Sequence, residues 1–300
     1  MIDAAALDGQ NPRVASPMRR LLAVTALLLT APLLAAGCAP AGPAEPAAGV
    51  TCDPAGLPTL TAGTLTVGTD QPVYPPWYVD DDPTSGTGFE SAVAYAVADE
   101  LGYAREAVTW VRVPFNAAIA PGPKTYDLNL TEFSITEERR AAVDFSAPYY
   151  DVTQAVIAIE GTPFAGATSI AELQGARLGA QLGTTSADAI VEQIAPANQP
   201  ATFNSNDDAK LALQNGQIDA LVLDLPTAFF VTSAELDGGV IVGQLPQGSG
   251  TPEQFGAVLD KDSPLTDCVS GAVDALRTAG TLDTLEQEWL ASAGSAPELR

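Results

Sequence analysis

Short apolar runs alternate along the chain with amphipathic stretches whose apolar positions recur every three to four residues. The runs with strand character are residues 64–69, 126–130, 155–159, 177–182, 218–223 and 255–259. The stretches with helical periodicity are residues 89–101, 186–195, 207–215, 265–278 and 282–291. This alternation predicts an α/β protein in which mostly parallel sheets are flanked by helices.

The N-terminal segment has the pattern of an export signal. Met18 is followed by two arginines, the apolar run 21–36 and a Gly-Cys pair. An apolar run behind positive charge predicts a signal peptide over residues 1–37, with an uncleaved anchor as the alternative. Residues 1–17 contain two acidic residues and no apolar run, so we expect translation to begin at Met18.

The Ala-Ala-Gly-Cys sequence that ends at Cys38 resembles the lipobox of bacterial lipoproteins. The resemblance implies a lipid on Cys38 that holds the protein at the extracytoplasmic face of the cell membrane. Residues 38–51 are rich in proline, alanine and glycine, which predicts a flexible tether. We expect the folded part to begin near Cys52.

The net charge of the chain bears on its possible partners, and its cysteine and histidine content bears on metal binding and on a disulfide. The chain has 13 basic and 37 acidic residues and no histidine, so its formal net charge is −24. That charge disfavours nucleic acid as a partner, and no metal or other cofactor is predicted. With Cys38 assigned to a lipid, Cys52 and Cys268 remain. In an oxidising compartment we expect them to form a disulfide, with two separate buried thiols as the alternative.

The segment Y-D-L-N-L-T-E-F-S-I-T-E-E-R-R places an arginine beside a predicted strand end. Thr136 followed by two glutamates is typical of a helix start, which puts Arg139 on the first helical turn. Thr131 and Ser134 add hydroxyls at the strand's carboxyl end, where open α/β sheets bind ligands. The planar guanidinium of Arg139 therefore predicts a carboxylate clamp. A surface arginine that caps the helix is the alternative, and it is our interpretation of Arg140.

That strand is followed by S-I-T-x-x-R and then by D-F-S-x-P-Y-Y. This order of motifs resembles that of the bacterial extracellular solute-binding proteins that deliver polar amino acids to ABC importers. The resemblance covers residues 64–290. It implies a type II periplasmic-binding-protein-like fold, with two lobes joined by two hinge strands. The implied segments are lobe 1 at 52–151 and 249–293, lobe 2 at 152–248, crossings near 150–153 and 245–253, and a C-terminal tail at 294–300.

The resemblance also assigns ligand contacts in the second lobe. The sequence G-A-Q-L-G-T-T-S-A-D contains Gln181, Thr184 and Thr185. Thr185 and Asp188 have the spacing of a capping box, whose backbone N–H groups can bind an anion. In the family, G-T-T meets the ligand carboxylate opposite the arginine. Asp224 ends an apolar strand and by resemblance binds the ligand's α-ammonium, with a turn cap as the alternative.

The loop from Asp70 to Trp77 resembles the family's D-x-x-Y-P-P-F sequence with one extra residue. The resemblance implies that Tyr74 lies over the ligand side chain and that Phe115 faces it. We expect Trp77 to pack the loop.

Glu132 departs from the family pattern, because relatives carry glycine or another small residue there. A second carboxylate beside Asp70 predicts a ligand with additional positive charge, such as arginine or lysine. The alternatives are that Glu132 pairs with Arg139, which would put the carboxylate clamp in doubt, or faces solvent.

These features predict a lipid-anchored, monomeric binding protein, and not an enzyme, that captures an amino acid and presents it to an ABC permease. The expected ligand contacts are Asp70, Tyr74, Phe115, Thr131, Glu132, Ser134, Arg139, Gln181, Thr184, Thr185 and Asp224. A cyclohexadienyl dehydratase-like enzyme with Glu132 as general acid is one alternative, and a ligand-sensing subunit is another.

Overall fold

The computed structural model describes residues 51–247, 252–291 and 294–300. The predicted signal peptide, Cys38 and the tether up to residue 50 lie outside the described residues. Within the described part of the chain, no helix combines the length and apolar character needed to cross a bilayer.

Strands and helices alternate along the described chain. The strands are β1 (Leu65–Thr69), β2 (Val108–Arg112), β3 (Leu128–Asn129), β4 (Asp144–Phe145), β5 (Tyr150–Val152), β6 (Gln154–Ile159), β7 (Leu178–Gln181), β8 (Ala201–Phe203), β9 (Ala220–Asp224), β10 (Gly239–Gln244), β11 (Glu253–Phe255) and β12 (Val258–Leu259). The helices are α1 (Phe89–Glu100), α2 (Phe115–Ala118), α3 (Glu137–Arg140), α4 (Ile170–Leu173), α5 (Thr185–Ala189), α6 (Asn206–Gln214), α7 (Leu225–Phe230), α8 (Thr266–Thr278) and α9 (Thr281–Trp289). Single π-helical turns, Ile190–Ile194 and Val231–Glu235, extend α5 and α7.

The strands form two open five-stranded sheets, with the orders β2-β1-β3-β12-β4 and β10-β6-β9-β7-β8. We call the first sheet with α1–α3, α8 and α9 lobe 1, and the second sheet with α4–α7 lobe 2. In each sheet two pairings are parallel and two are antiparallel, so the sheets are mixed where the sequence predicted mostly parallel ones. The antiparallel pairings involve β6 and β12, the strands that follow the crossings between lobes.

Each sheet is covered on both faces by apolar side chains. Along β6, Val156 and Ala158 belong to one buried cluster, whereas Ala155 and Ile157 belong to another. Successive side chains of a strand point to opposite faces, so the sheet of lobe 2 is buried on both sides. The strands read as continuous apolar runs for this reason.

Two strands connect the lobes. Strands β5 and β11 pair antiparallel, with Tyr150 opposite Phe255, and form a two-stranded ribbon between the sheets. The single strand predicted over 255–259 is therefore two strands, because β11 belongs to the ribbon and β12 to lobe 1. The end of the chain reaches lobe 2, where Leu299 is buried in the core and the Arg300 carbonyl accepts the N–H of Ile170 at 3.2 Å.

A disulfide joins Cys52 to Cys268 on α8, across a sequence separation of 216. It ties the beginning of lobe 1 to the helix that returns to lobe 1 after the second crossing. Cys268 is buried in the lobe 1 core, so the bridge is part of the packing between the two segments.

We expect removal of this bridge to lower the free energy of unfolding by roughly 2–5 kcal/mol, because the unfolded chain would lose a long-range constraint. Urea unfolding of the Cys52→Ala/Cys268→Ala double variant, compared with the oxidised wild type, measures the loss. Dithiothreitol should destabilise the wild type and leave the double variant unchanged. Equal stability of the two oxidised proteins would contradict the prediction.

Candidate functional site

A cavity lies where the carboxyl ends of β1 and β3 in lobe 1 meet those of β7 and β9 in lobe 2. It contains about 590 Å³ of space not filled by atoms, part of it open to solvent. All eleven residues predicted as ligand contacts line it. The lining also includes residues that the sequence analysis missed, namely Pro72, Val73, Gln154, Ser186, Asn206, Leu223 and Phe255.

Arg139 lies on the first turn of α3, as the sequence predicted. Thr136 caps the helix, and its hydroxyl accepts the backbone N–H of Arg139 at 3.1 Å. The guanidinium is buried and donates to two backbone carbonyls, Ser134 at 2.7 Å in lobe 1 and Gly183 at 2.9 Å in lobe 2. Burial lowers the pKa of Arg139. A buried cation of this kind is stabilised by a carboxylate partner, which the remaining N–H groups can bind.

The turn before α5 contains the predicted G-T-T sequence, but the helix begins one residue earlier than predicted. Gly183 has a φ of +80°, and a Cβ there would lie 2.3 Å from Asn116 Oδ1, so the turn favours glycine. The helix cap is Thr184, whose hydroxyl accepts the N–H of Ala187 at 3.2 Å. The prediction of Thr185 as the cap is therefore wrong, because Thr185 is the first helical residue and its hydroxyl bonds elsewhere.

Glu253, the first residue of β11, bonds to both lobes through its carboxylate. Its Oε1 accepts the hydroxyls of Ser134 and Thr185, each at 2.6 Å. Gln154 Nε2 lies 3.1 Å from both carboxylate oxygens. One hinge carboxylate therefore holds Ser134 of lobe 1 and two side chains of lobe 2, Thr185 on α5 and Gln154 on β6.

Glu132 has a φ of +53°, the left-handed region that favours glycine, which agrees with the small residue expected at this position. Its carboxyl group faces Asp224, and its Oε2 accepts the hydroxyl of Thr227 at 3.1 Å. The alternative pair with Arg139 is not formed. Burial raises the pKa of Glu132, and the charges of Asp224 and Glu90 raise it further.

Asp224 both lines the cavity and caps α7, since its Oδ1 accepts the N–H of Thr227 at 3.0 Å. Burial raises the pKa of Asp224, an effect that hydrogen bonds from Thr227 and Glu132 oppose. The turn cap and the ligand contact, which the sequence posed as alternatives, are therefore compatible in one side chain.

Glu90 on α1 is a further buried carboxyl group next to Glu132. Its Oε1 accepts the backbone N–H of Glu132 at 2.6 Å and the hydroxyl of Tyr149. Its Oε2 has no hydrogen-bond partner among the described residues. Burial raises the pKa of Glu90 to about 7, against the opposing effect of the two hydrogen bonds.

Aromatic side chains and Asp70 form the other wall of the cavity. Phe115 stacks on Phe133 with 4.7 Å between ring centroids, and the guanidinium of Arg139 lies 5.5 Å from the Phe115 ring. The Tyr74 hydroxyl has no partner among the described side chains and backbone groups. Burial raises the pKa of Asp70, which Arg112 partly opposes.

Trp77 packs inside the protein, as expected, and also connects the lobes. Its ring is fully buried, and its Nε1 donates to the Thr227 hydroxyl at 2.8 Å. That hydroxyl in turn donates to Glu132. The resulting chain of hydrogen bonds runs from lobe 1 to lobe 2 and back to lobe 1.

Residues 65–292 match the family described as "Bacterial extracellular solute-binding proteins, family 3". The chain belongs to this family. A "Probable histidine-binding protein" of Campylobacter jejuni is 31% identical over 236 residues, which cover 76% of this chain and 86% of the relative. An "L-arginine-binding protein" of Pseudomonas aeruginosa is 27% identical, with coverages of 78% and 90%. The solved structure "An ancestral arginine-binding protein bound to glutamine" has a TM-score of 0.63 and 30% identity, and the match covers 76% of this chain and 98% of that one.

Membership confirms the resemblance and the two-lobe type II fold. In this solute-binding protein the sequence analysis also missed residues that support the cleft without lining the cavity, above all Glu253, Glu90 and Thr227. The local signal for Thr227 was its place three residues after Asp224, where a capping partner is expected. The sequence around Glu253 gave no comparable signal.

The raised pKa of Glu90 predicts a specific pH dependence of stability. Because the folded state disfavours the charged carboxylate, stability is highest below the ordinary pKa of a glutamate and is lost as pH rises through about 7. Glu90→Gln keeps an acceptor for Glu132 and Tyr149. We therefore expect it to raise the free energy of unfolding at pH 8 by roughly 2–3 kcal/mol, with little change at pH 4.5.

Urea unfolding at several pH values measures this difference. Other titratable groups face Glu90, namely Glu132, Asp224, Tyr78 and Tyr149. Because these groups remain in Glu90→Gln, the variant should keep part of the pH dependence of the wild type. Glu100→Gln, at the exposed end of the same helix, is the matched control. The interpretation fails when Glu90→Gln and Glu100→Gln have the same pH profile.

Proposed function

We propose that this protein is an extracytoplasmic substrate-binding lipoprotein that captures a cationic amino acid and delivers it to an ABC permease. The family membership and the relatives named for histidine and arginine support an amino acid as the ligand. The apolar run behind two arginines and the cysteine at position 38 support export and a lipid anchor. In this proposal the protein acts as a monomer and uses the cleft between the lobes.

The observation that carries the proposal is the charge of the cleft. Its described lining contains one basic side chain, Arg139, and three acidic ones, Asp70, Glu132 and Asp224. A zwitterion uses Arg139 for its carboxylate and Asp224 for its ammonium. The two remaining carboxylates favour a ligand whose side chain carries a further positive charge, because a buried charge is costly without a partner.

The contacts between lobes support a ligand-dependent closure. Arg139 bonds to Gly183 across the cleft, and Trp77 bonds to Thr227. A ligand that contacts Arg139 in lobe 1 and Asp224 in lobe 2 adds interactions that exist only when the lobes are close together. Binding therefore stabilises the closed arrangement.

We expect Arg139→Ala and Asp224→Asn each to weaken binding of arginine at least about a hundredfold. Removing one partner of a desolvated charge pair costs roughly 3–5 kcal/mol. The asparagine keeps an oxygen that can cap α7, so the helix should remain intact. Isothermal titration calorimetry on the domain that begins at residue 51 measures both affinities.

Arg140→Ala is the matched control for the arginine. Arg140 is the next residue on α3, is largely exposed, and pairs only loosely with Glu137 at 3.7 Å. Its loss should leave the affinity for arginine unchanged. Wild-type affinity in either Arg139→Ala or Asp224→Asn means that the ligand is held elsewhere.

Selectivity for a cation is tested at Glu132. Glu132→Gln removes one charge from the cleft at nearly constant shape, so arginine binding should weaken about tenfold or more, whereas glutamine binding should change little. Titrations of both proteins with arginine, glutamine and glutamate at one salt concentration give the comparison. A wild-type preference for glutamate would refute the cationic ligand.

A dehydratase-like enzyme on the same scaffold is the second candidate. The observation in its favour is the raised pKa of Glu132, since a carboxyl group that holds its proton to higher pH is better suited to act as a general acid. The named relatives are binding proteins, which favours capture over catalysis.

A further inference from the structure

The carboxylate of Glu253 accepts hydrogen bonds from two hydroxyls that line the cleft. Ser134 and Thr185 both line the cavity, and both donate to Glu253 Oε1 at 2.6 Å. A hydroxyl has one hydrogen and two lone pairs, so a hydroxyl that donates to Glu253 can only accept from anything else. Donation to a carboxylate is also roughly twice as strong as donation to a neutral acceptor, which holds the hydrogens in place.

The position of Glu253 directs those hydrogens away from the cavity. Glu253 lines a separate groove at the hinge, together with Thr153 and Pro252, and is not among the described residues that line the cavity. Ser134 and Thr185 line the cavity, whereas the carboxylate that accepts their hydrogens does not. Their Oγ atoms are 3.1 Å apart, and neither has a second hydrogen to offer to the other or to a ligand.

We propose that Glu253 is a specificity-determining positioning residue that turns Ser134 and Thr185 into hydrogen-bond acceptors, so that they favour the N–H groups of a cationic ligand over its carboxylate. This inference rests on the proposed function and adds to it. Arg139 remains as the side chain that pairs with a ligand carboxylate. The hydroxyls on either side of the cleft then contribute to the recognition of positive charge.

Glu253→Gln tests the proposal because the amide offers N–H donors as well as an oxygen. With an amide behind them, the two hydroxyls can accept from the amide and turn their hydrogens to the ligand. The probes are arginine and agmatine, which share the guanidinium and differ in the α-carboxylate. We expect Glu253→Gln to increase the ratio of arginine affinity to agmatine affinity about tenfold relative to the wild type.

Two controls separate this effect from a change in overall charge or stability. Asp151→Asn removes one carboxylate from the other hinge strand, where Asp151 is exposed and bonds to Gln254 at 2.7 Å, and should leave the ratio unchanged. In a Ser134→Ala/Thr185→Ala background, the effect of Glu253→Gln on the ratio should disappear. A purely structural role of Glu253 would not depend on the two hydroxyls.

A measurement with Glu253 intact covers the case in which Glu253→Gln fails to fold. If the hydroxyls do not donate to the ligand carboxylate, Ser134→Ala/Thr185→Ala should weaken arginine and agmatine by the same factor. A loss confined to arginine overturns the proposal, as does an unchanged ratio in Glu253→Gln or a change that persists without the hydroxyls. If the wild type binds arginine, each of these results leaves the proposed function in place. A wild type that binds neither arginine nor lysine refutes both the role of Glu253 and the proposed function.

Discussion

The constraint on which the rest of the structure depends is the placement of three carboxyl groups next to one another at the cleft. Asp224, Glu132 and Glu90 lie within hydrogen-bond reach of one another or of shared partners, and Asp224 and Glu90 are buried. Burial penalises their charged forms, and the neighbouring charges add to the penalty, so the pKa of each is raised. Such a cluster is tolerated because hydroxyls and backbone N–H groups donate to it. In the proposed function, a cationic ligand in the cleft relieves the penalty further.

The backbone brings these groups together by ending strands from two sheets at one place. Glu132 follows β3 and Asp224 ends β9, so each lobe contributes a carboxylate. Glu132 reaches its position only in the left-handed backbone region, which costs a glutamate free energy that a glycine would not lose. The strained backbone at this position supports the proposed role of the Glu132 side chain in ligand binding.

Much of the fold and many of the residues that line the cleft could be predicted, because their signals are local. A strand end followed by a helix start places Arg139, Thr184 and Asp224 at the edge of a sheet. The supporting residues could not be predicted, because their partners are distant in sequence: Glu253 lies 119 positions from Ser134, and Trp77 lies 150 positions from Thr227. Which strand is parallel to which also depends on where the chain crosses between lobes, and apolar periodicity contains no information about crossings.

Several side chains at the cleft join the two lobes and also belong to the proposed ligand site or contact it. The Thr227 hydroxyl accepts from Trp77 and donates to Glu132, so a change in the position of Glu132 also affects the link between lobes. Arg139 bonds to a carbonyl in each lobe with the guanidinium that is proposed to bind the ligand. In the proposed function the same groups carry both kinds of contact, so affinity and closure are thermodynamically coupled. Substitutions at these positions therefore change the closure equilibrium as well as the direct contact, and only neighbouring controls outside the network, such as Arg140 and Asp151, isolate the contribution of the ligand.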